Sequence, residues 1–232
     1  SKSEKTESPV IFPSLGYRRF TDALITSNRR CSYIIRDDEL LLPEAIQPGP
    51  WNIRVGVPTP GGIHFQSGDN LLVNTRRKGS QRVKGIYVGS WSPHNWYHWT
   101  VDTLPSVYMT QKLPHEFQDY PVLIPEIVLN RTSWREPLEL ALNGRHVQAL
   151  FGDRYTLVKD IVWLDSPSTP GPLPVKSVRG QNFSIHPTAM TEYRNFMVKK
   201  LGLEAEIEPF RRIFIARKPT ANRPYNQNEL VP

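Results

Sequence analysis

Residues 90–105, SWSPHNWYHWTVDTLP, gather two histidines, an aspartate, an asparagine and four large aromatic side chains into one short stretch. Asn95, His98 and Asp102 stand at i, i+3 and i+7, so a helix would carry them on one face. His98 and Asp102 are four residues apart and within hydrogen-bonding reach on that face. A carboxylate that orients an imidazole can supply a base or hold an acceptor hydroxyl. The same pair is also a common half-buried polar contact. His94 and His98 share a spacing used by metal ligands, but no Glu follows His94 as in HExxH and no third ligand is evident, so no metal is expected. Trp91, Trp96, Tyr97 and Trp99 offer flat faces on which a sugar ring could stack, or they pack a helix onto its sheet.

A second segment, Arg211 to Leu230, reads RRIFIARKPTANRPYNQNEL. The apolar run Ile213-Phe214-Ile215-Ala216 predicts a buried strand that ends in Arg217 and Lys218, with Arg223 and a helix start at Asn226 beyond it. Cations and free backbone N–H groups at such a place suit a diphosphate. A solvated basic turn has the same composition. Neither GxGxxG nor a P-loop pattern occurs.

These residues need elements to position them. From Gly85 onward, short apolar runs alternate with helical stretches: strands at 85–89, 121–125 and 155–164, and helices at 95–113, 134–143 and 187–201. That alternation predicts an α/β fold with a parallel, doubly wound sheet. Before residue 85 the chain is β-rich and irregular. Two short strands surround an Asp37-Asp38 turn at 33–42, and a hairpin is expected at 63–75 with its turn at Ser67-Gly68-Asp69-Asn70. Residues 1–30, 43–62 and the proline-rich 167–174 read as extended chain or loop.

Composition narrows the classes. Hydrophobic residues make up 38%, enough for a core. No apolar run approaches the roughly 18 residues of a spanning helix, and the first residues, SKSEKTESPV, are not a signal peptide. Twenty-nine Lys and Arg against 22 Asp and Glu give a net charge of +7, which favours anionic partners. The basic residues lie in scattered pairs rather than in a block, so nucleic acid is not the expected partner. A single cysteine, Cys31, excludes an intrachain disulfide and tips localisation toward a bacterial cytoplasm. Two sequons, at Asn130 and Asn182, pull toward a Golgi or ER lumen behind an upstream anchor.

HNWYHWTVDTLPSVY resembles the His- and Asp-bearing "YHW…D.LP" helix of the family 61 glycosyltransferases, and RRIFIARKPTANRPYNQNEL resembles that family's strand, basic loop and "N-E-x-E-L" helix. The resemblance runs from about residue 85 to the end. It implies a GT-B-like fold of two Rossmann-type halves and inverting, metal-independent transfer from a nucleotide sugar to a glycan acceptor, with no further cofactor. No DxD motif is present; Asp37 and Asp38 are adjacent. On this resemblance the acceptor side falls to Asp102 as the preferred base, with His98 as its partner or the alternative base. His94, Asn95, Trp96 and Trp99 would line the acceptor, and Arg217, Arg223 and, less directly, Lys218 would face the donor phosphates. Ala216 stands where the family often has Ser, and the later "GAxxxN"-type turn has no counterpart before Pro232.

The organisation expected is a β-rich segment 1–84, an acceptor-side Rossmann-like domain 85–208, and the opening strand, loop and helix of a donor-side domain at 209–232, the remainder lying past Pro232. A non-catalytic carbohydrate- or partner-binding module built from the same aromatic cluster is the competing reading.

Overall fold

The computed structural model describes residues 14–25, 33–41, 63–67, 70–73, 78–88, 95–151, 155–170 and 183–203. Three N-terminal strands come first: β1 (Tyr17–Ile25), β2 (Ile34–Arg36) and β3 (Glu39–Leu41). β2 and β3 form a hairpin across Asp37 and Asp38, whose φ angles of 49° and 63° are those of a two-residue turn with both central residues left-handed. A separate hairpin pairs β4 (Ile63–Ser67) with β5 (Asn70–Val73).

Next come β6 (Lys78–Tyr87) and a composite helix. The latter starts as α1 (Trp96–His98), widens into a π segment (Trp99–Thr103), continues as α2 (Leu104–Met109) and tightens into a 3-10 turn at Thr110–Lys112. The sequence pattern predicts one unbroken helix over 95–113. Pro105 is the reason it is not one. It has no N–H to give the Val101 carbonyl, and its ring would collide there in α geometry. The chain widens instead, and the Leu104 N–H reaches back five residues to Trp99 O.

A second 3-10 turn (His115–Phe117), β7 (Val122–Pro125), α3 (Glu126–Leu129), α4 (Thr132–Leu142) and β8 (Val147–Leu150) follow. α4 stops at Asn143, left-handed at φ 50°, with Gly144 at φ 89° behind it. The chain continues through β9 (Tyr155–Leu164), a small ribbon of β10 (Ser168–Pro170) with β11 (Phe183–Ile185), and α5 (Pro187–Lys200).

The main sheet has the order β3-β2-β1-β9-β6-β7-β8. β9, β6, β7 and β8 run parallel, and β1 to β3 extend the sheet antiparallel from β9. The fold is therefore mixed α/β. Alternation along the strands divides the two faces. Ile86, Val122, Ile124 and Val162 meet Trp99, Leu104, Val107, Trp134 and Leu138 in one core. Tyr87, Leu123, Ile161 and Trp163 form the other, with Ile25 and Ile34. Helices on both faces are the sequence expectation. Among the described residues, the π segment, α2, α3 and α4 all contribute to the first core, and α5 packs against it through Tyr193.

The sequence reading places no strand at β8, β10 or β11, and β10 corrects the loop expected over 167–174; two longer strands differ as well. β1, YRRFTDALI, has a largely exposed outer half and lacks a strand's apolar signature, yet it pairs with β9 from Tyr17↔Leu164 to Ile25↔Thr156. β6 begins at Lys78 rather than Gly85, because its polar first half pairs with β9, across a register shift between Lys78 and Ser80. Arg19 on β1 clamps the join by donating twice to Asp160 on β9, at 2.9 and 2.7 Å, while the Tyr120 hydroxyl donates to the same carboxylate. The Arg19 hydrogen bonds hold Asp160 below the usual carboxylate range, and burial with the Asp160 contact pushes Tyr120 up to about 12. The expected strand at 212–216, the helix start at 226 and the loop at 43–62 lie outside the described residues.

Gly85 allows β7 a close approach: a Cβ there would stand 2.6 Å from Leu123 Cδ1 and 2.7 Å from its Cγ. Leu123 is fully buried, so its side chain would have to shift within the packed core. Gly85→Ala is expected to destabilise the protein by about 1–3 kcal/mol of overpacking, read as a lower denaturation midpoint in urea.

Candidate functional site

β6 and β9 are neighbours, with Tyr87 level with Trp163 near their carboxyl ends. From β6 the chain steps outward to β7 and then β8, whereas β9 lies on the opposite side of β6. The order of the parallel strands thus reverses between β6 and β9. In open α/β sheets, ligands bind beyond the carboxyl ends of strands at such a reversal. Two segments meet there: the composite helix, which follows β6, and the turn at 165–168, which follows β9.

Asp102 lies in the π segment and is 1% exposed. Its Oδ2 is 2.7 Å from His98 Nδ1, and its Oδ1 accepts a hydrogen bond from the Ser168 hydroxyl at 2.6 Å. The Ser106 hydroxyl donates to the Asp102 backbone carbonyl at 2.7 Å, closing the helix beneath it. Burial raises the Asp102 carboxyl above its ordinary value, and the hydrogen bonds from Ser168 and His98 oppose that rise without cancelling it. Sequence spacing identified the His98–Asp102 contact. Ser168 was missed, because 66 residues separate it from Asp102 and it falls in a stretch read as proline-rich loop. Its position four residues after an apolar strand was the only signal.

The aromatic residues divide into core and surface. Trp99 is 0% exposed and stacks on Trp134, with centroids 5.5 Å apart and planes 11° from parallel. The Arg131 guanidinium covers Trp134 at 4.4 Å. Trp99 therefore presents no face to a sugar, which corrects its expected place in the acceptor site. Trp96, at 52% exposed, leans on Trp134 from outside and keeps an open face, and Tyr97 beside it is also exposed. Asn95 caps α1: its side-chain oxygen accepts the Tyr97 N–H at 2.9 Å. Its carbonyl oxygen is thereby committed to the backbone rather than to an i, i+3, i+7 stripe. His94, Arg217, Lys218 and Arg223 lie outside the described residues, as does Cys31.

The geometry redistributes the roles of the central pair. Both Asp102 oxygens are hydrogen-bonded within the protein and the carboxylate is buried, so it is badly placed to meet an acceptor hydroxyl. The His98 side chain is 25% exposed and can meet one. With the carboxylate ionised, the His98 Nδ1–H donates to it, which leaves Nε2 as the basic nitrogen. Ser168 donates to a carboxylate rather than to an imidazole, so it lacks the activation a serine nucleophile needs. Among the described residues no three His, Cys, Asp or Glu side chains cluster as metal ligands, and no helix is long and apolar enough to cross a membrane. No protein-family model, curated protein or solved structure matches the chain.

The raised Asp102 carboxyl fixes the sign of its effect on stability. A group that binds its proton more tightly when folded contributes fully below the unfolded carboxylate pKa, and that contribution is lost as pH rises through the folded value. Asp102→Asn, which resembles the neutral form, is expected to match or exceed the wild-type Tm at pH 7 and to flatten the fall in Tm between pH 4 and 7. Asp102→Ala is expected to lose about 1–3 kcal/mol, because the Ser168 hydroxyl is left buried without its acceptor. Thermal unfolding across that pH range checks both variants.

Proposed function

We propose that this chain is the acceptor-side part of a GT-B-like glycosyltransferase, with a Rossmann-type sheet, that transfers a sugar from a nucleotide-sugar donor to a glycan acceptor with inversion and without metal. The observation that carries the reading is the Ser168–Asp102–His98 hydrogen-bond chain at the strand-order reversal, buried at Ser168 and Asp102 and reaching solvent through His98. The motif resemblance of the helix around His98 and Asp102 points the same way.

In this reading His98 Nε2 takes the proton from the acceptor hydroxyl. The freed oxygen attacks the anomeric carbon from the face opposite the leaving phosphate. The bond from that carbon to the phosphate oxygen breaks, and its electron pair leaves with the nucleotide. Asp102 orients the imidazole and balances the charge that develops on it. Trp96 supplies a stacking face for an acceptor sugar. Arg217, Arg223 and Lys218 carry the proposed contact with the leaving phosphates.

A carbohydrate-binding module without catalysis is the second reading, favoured by one observation: Trp96 and Tyr97 are both exposed aromatic residues, which would serve a lectin equally well. The two readings separate in one set of measurements on the natural full-length protein. UDP, GDP and CMP sugar conjugates are screened for thermal stabilisation and for nucleotide release. The transferase reading expects one class to stabilise and turn over, and His98→Gln to lower kcat by about 10²–10⁴-fold with an unchanged fold. If no conjugate stabilises or turns over, while Trp96→Ala abolishes glycan binding and His98→Gln does not, the module reading replaces it.

A further inference from the structure

A helical His–Asp pair four residues apart does not hold itself still. Asp102 can turn about its own side-chain bonds, and His98 is partly open to water. The carboxylate is held from another part of the chain. Ser168 is 1% exposed, and its hydroxyl binds Asp102 Oδ1 while His98 binds Oδ2, so the carboxylate cannot rotate without breaking a buried hydrogen bond. Serine hydroxyls more often bond the nearby backbone. Ser166 does so here, donating to the Ser168 carbonyl at 2.5 Å. Ser168 reaches across the fold instead.

The backbone of Ser168 is itself anchored. It pairs with Ile185 in the β10–β11 ribbon, its N–H donates to Ser166 Oγ at 3.3 Å, and the His186 N–H donates to the Pro167 carbonyl at 2.7 Å. His186 is the N-cap of α5. The ribbon, the turn after β9 and the start of α5 are thus one tied unit that ends in a hydroxyl on Asp102.

We infer that Ser168 is a positioning residue: by fixing the Asp102 carboxylate it sets the tautomer and orientation of the His98 ring, so that the β10–β11 ribbon holds a group carried on the helix after β6. The inference rests on the proposed role of His98 as base for its kinetic consequence only; the structural consequence stands without any assumed activity.

The test uses the full chain labelled with 15N at histidine, with the His98 tautomer read from two-bond 1H–15N correlations. In the wild type His98 is expected to carry its proton on Nδ1. Ser168→Ala is expected to convert it to a tautomer mixture, and Ser168→Thr, which restores the hydroxyl, to return it to Nδ1. With the cognate donor, Ser168→Ala should lower kcat roughly 10- to 100-fold with KM within about twofold, and Ser168→Thr should recover most of the loss. A folded Ser168→Ala with a wild-type His98 tautomer overturns the inference, whatever the activity. A shifted tautomer in a protein that turns over no nucleotide sugar upholds Ser168 as positioning residue and sinks the transferase reading instead. If Ser168→Ala does not fold, Ser168→Cys decides the point: its weak S–H donor should leave the tautomer mixed if Ser168 positions the ring, and unchanged if it does not.

Discussion

The parallel pairing of β6 with β9 sets the positions of the other parts. These are ten-residue strands in one register from Ser80↔Thr156 to Tyr87↔Trp163, with a shift between Lys78 and Ser80, and neither has a local reason to find the other. Once they pair, the segments leaving their carboxyl ends must share the same space. The helix carrying Asp102 and the turn carrying Ser168 meet there, and β1 adds to the free edge of β9. The same pairing makes the strand order reverse, which opens the place where a ligand can sit.

A carboxylate in that place is costly to bury, and the surroundings of Asp102 answer the cost in part. Two hydrogen bonds occupy its oxygens, yet burial still dominates and its carboxyl stays raised. A fold that needed only stability would be served better by an apolar side chain here. The Trp99–Trp134 stack does the complementary work: it ties the widened π turn to α4 with apolar area, so the helix keeps its place despite the defect that Pro105 imposes. One aromatic of the cluster, Trp99, is buried against α4, and another, Trp96, remains exposed.

Local chemistry made several features legible. Apolar runs marked β7 and β9, the Asp37-Asp38 pair marked a tight turn, and Asn143-Gly144 marked the end of α4. The His98–Asp102 contact follows from helical spacing alone. Features that depend on a distant partner were not legible. β1 and the first half of β6 carry polar sequences that become strands only because β9 supplies their hydrogen bonds. β8 is too short and mixed to stand out, and it forms on the edge that β7 provides. Trp99 and Trp96 look alike in sequence; packing against α4 buries one and leaves the other exposed.

By itself the sequence determined the α/β alternation and the polar pair on the helix after β6, since each depends on residues within about two turns or one strand of one another. Only the tertiary structure decided the strand order, the burial of Asp102 and its second partner. Ser168 lies 66 residues from Asp102, and a hydrogen bond over that distance exists only after β6 and β9 have paired. The same burial moved the exposed, basic role from Asp102 to His98, because solvent access belongs to the folded surface and not to the order of residues along the chain.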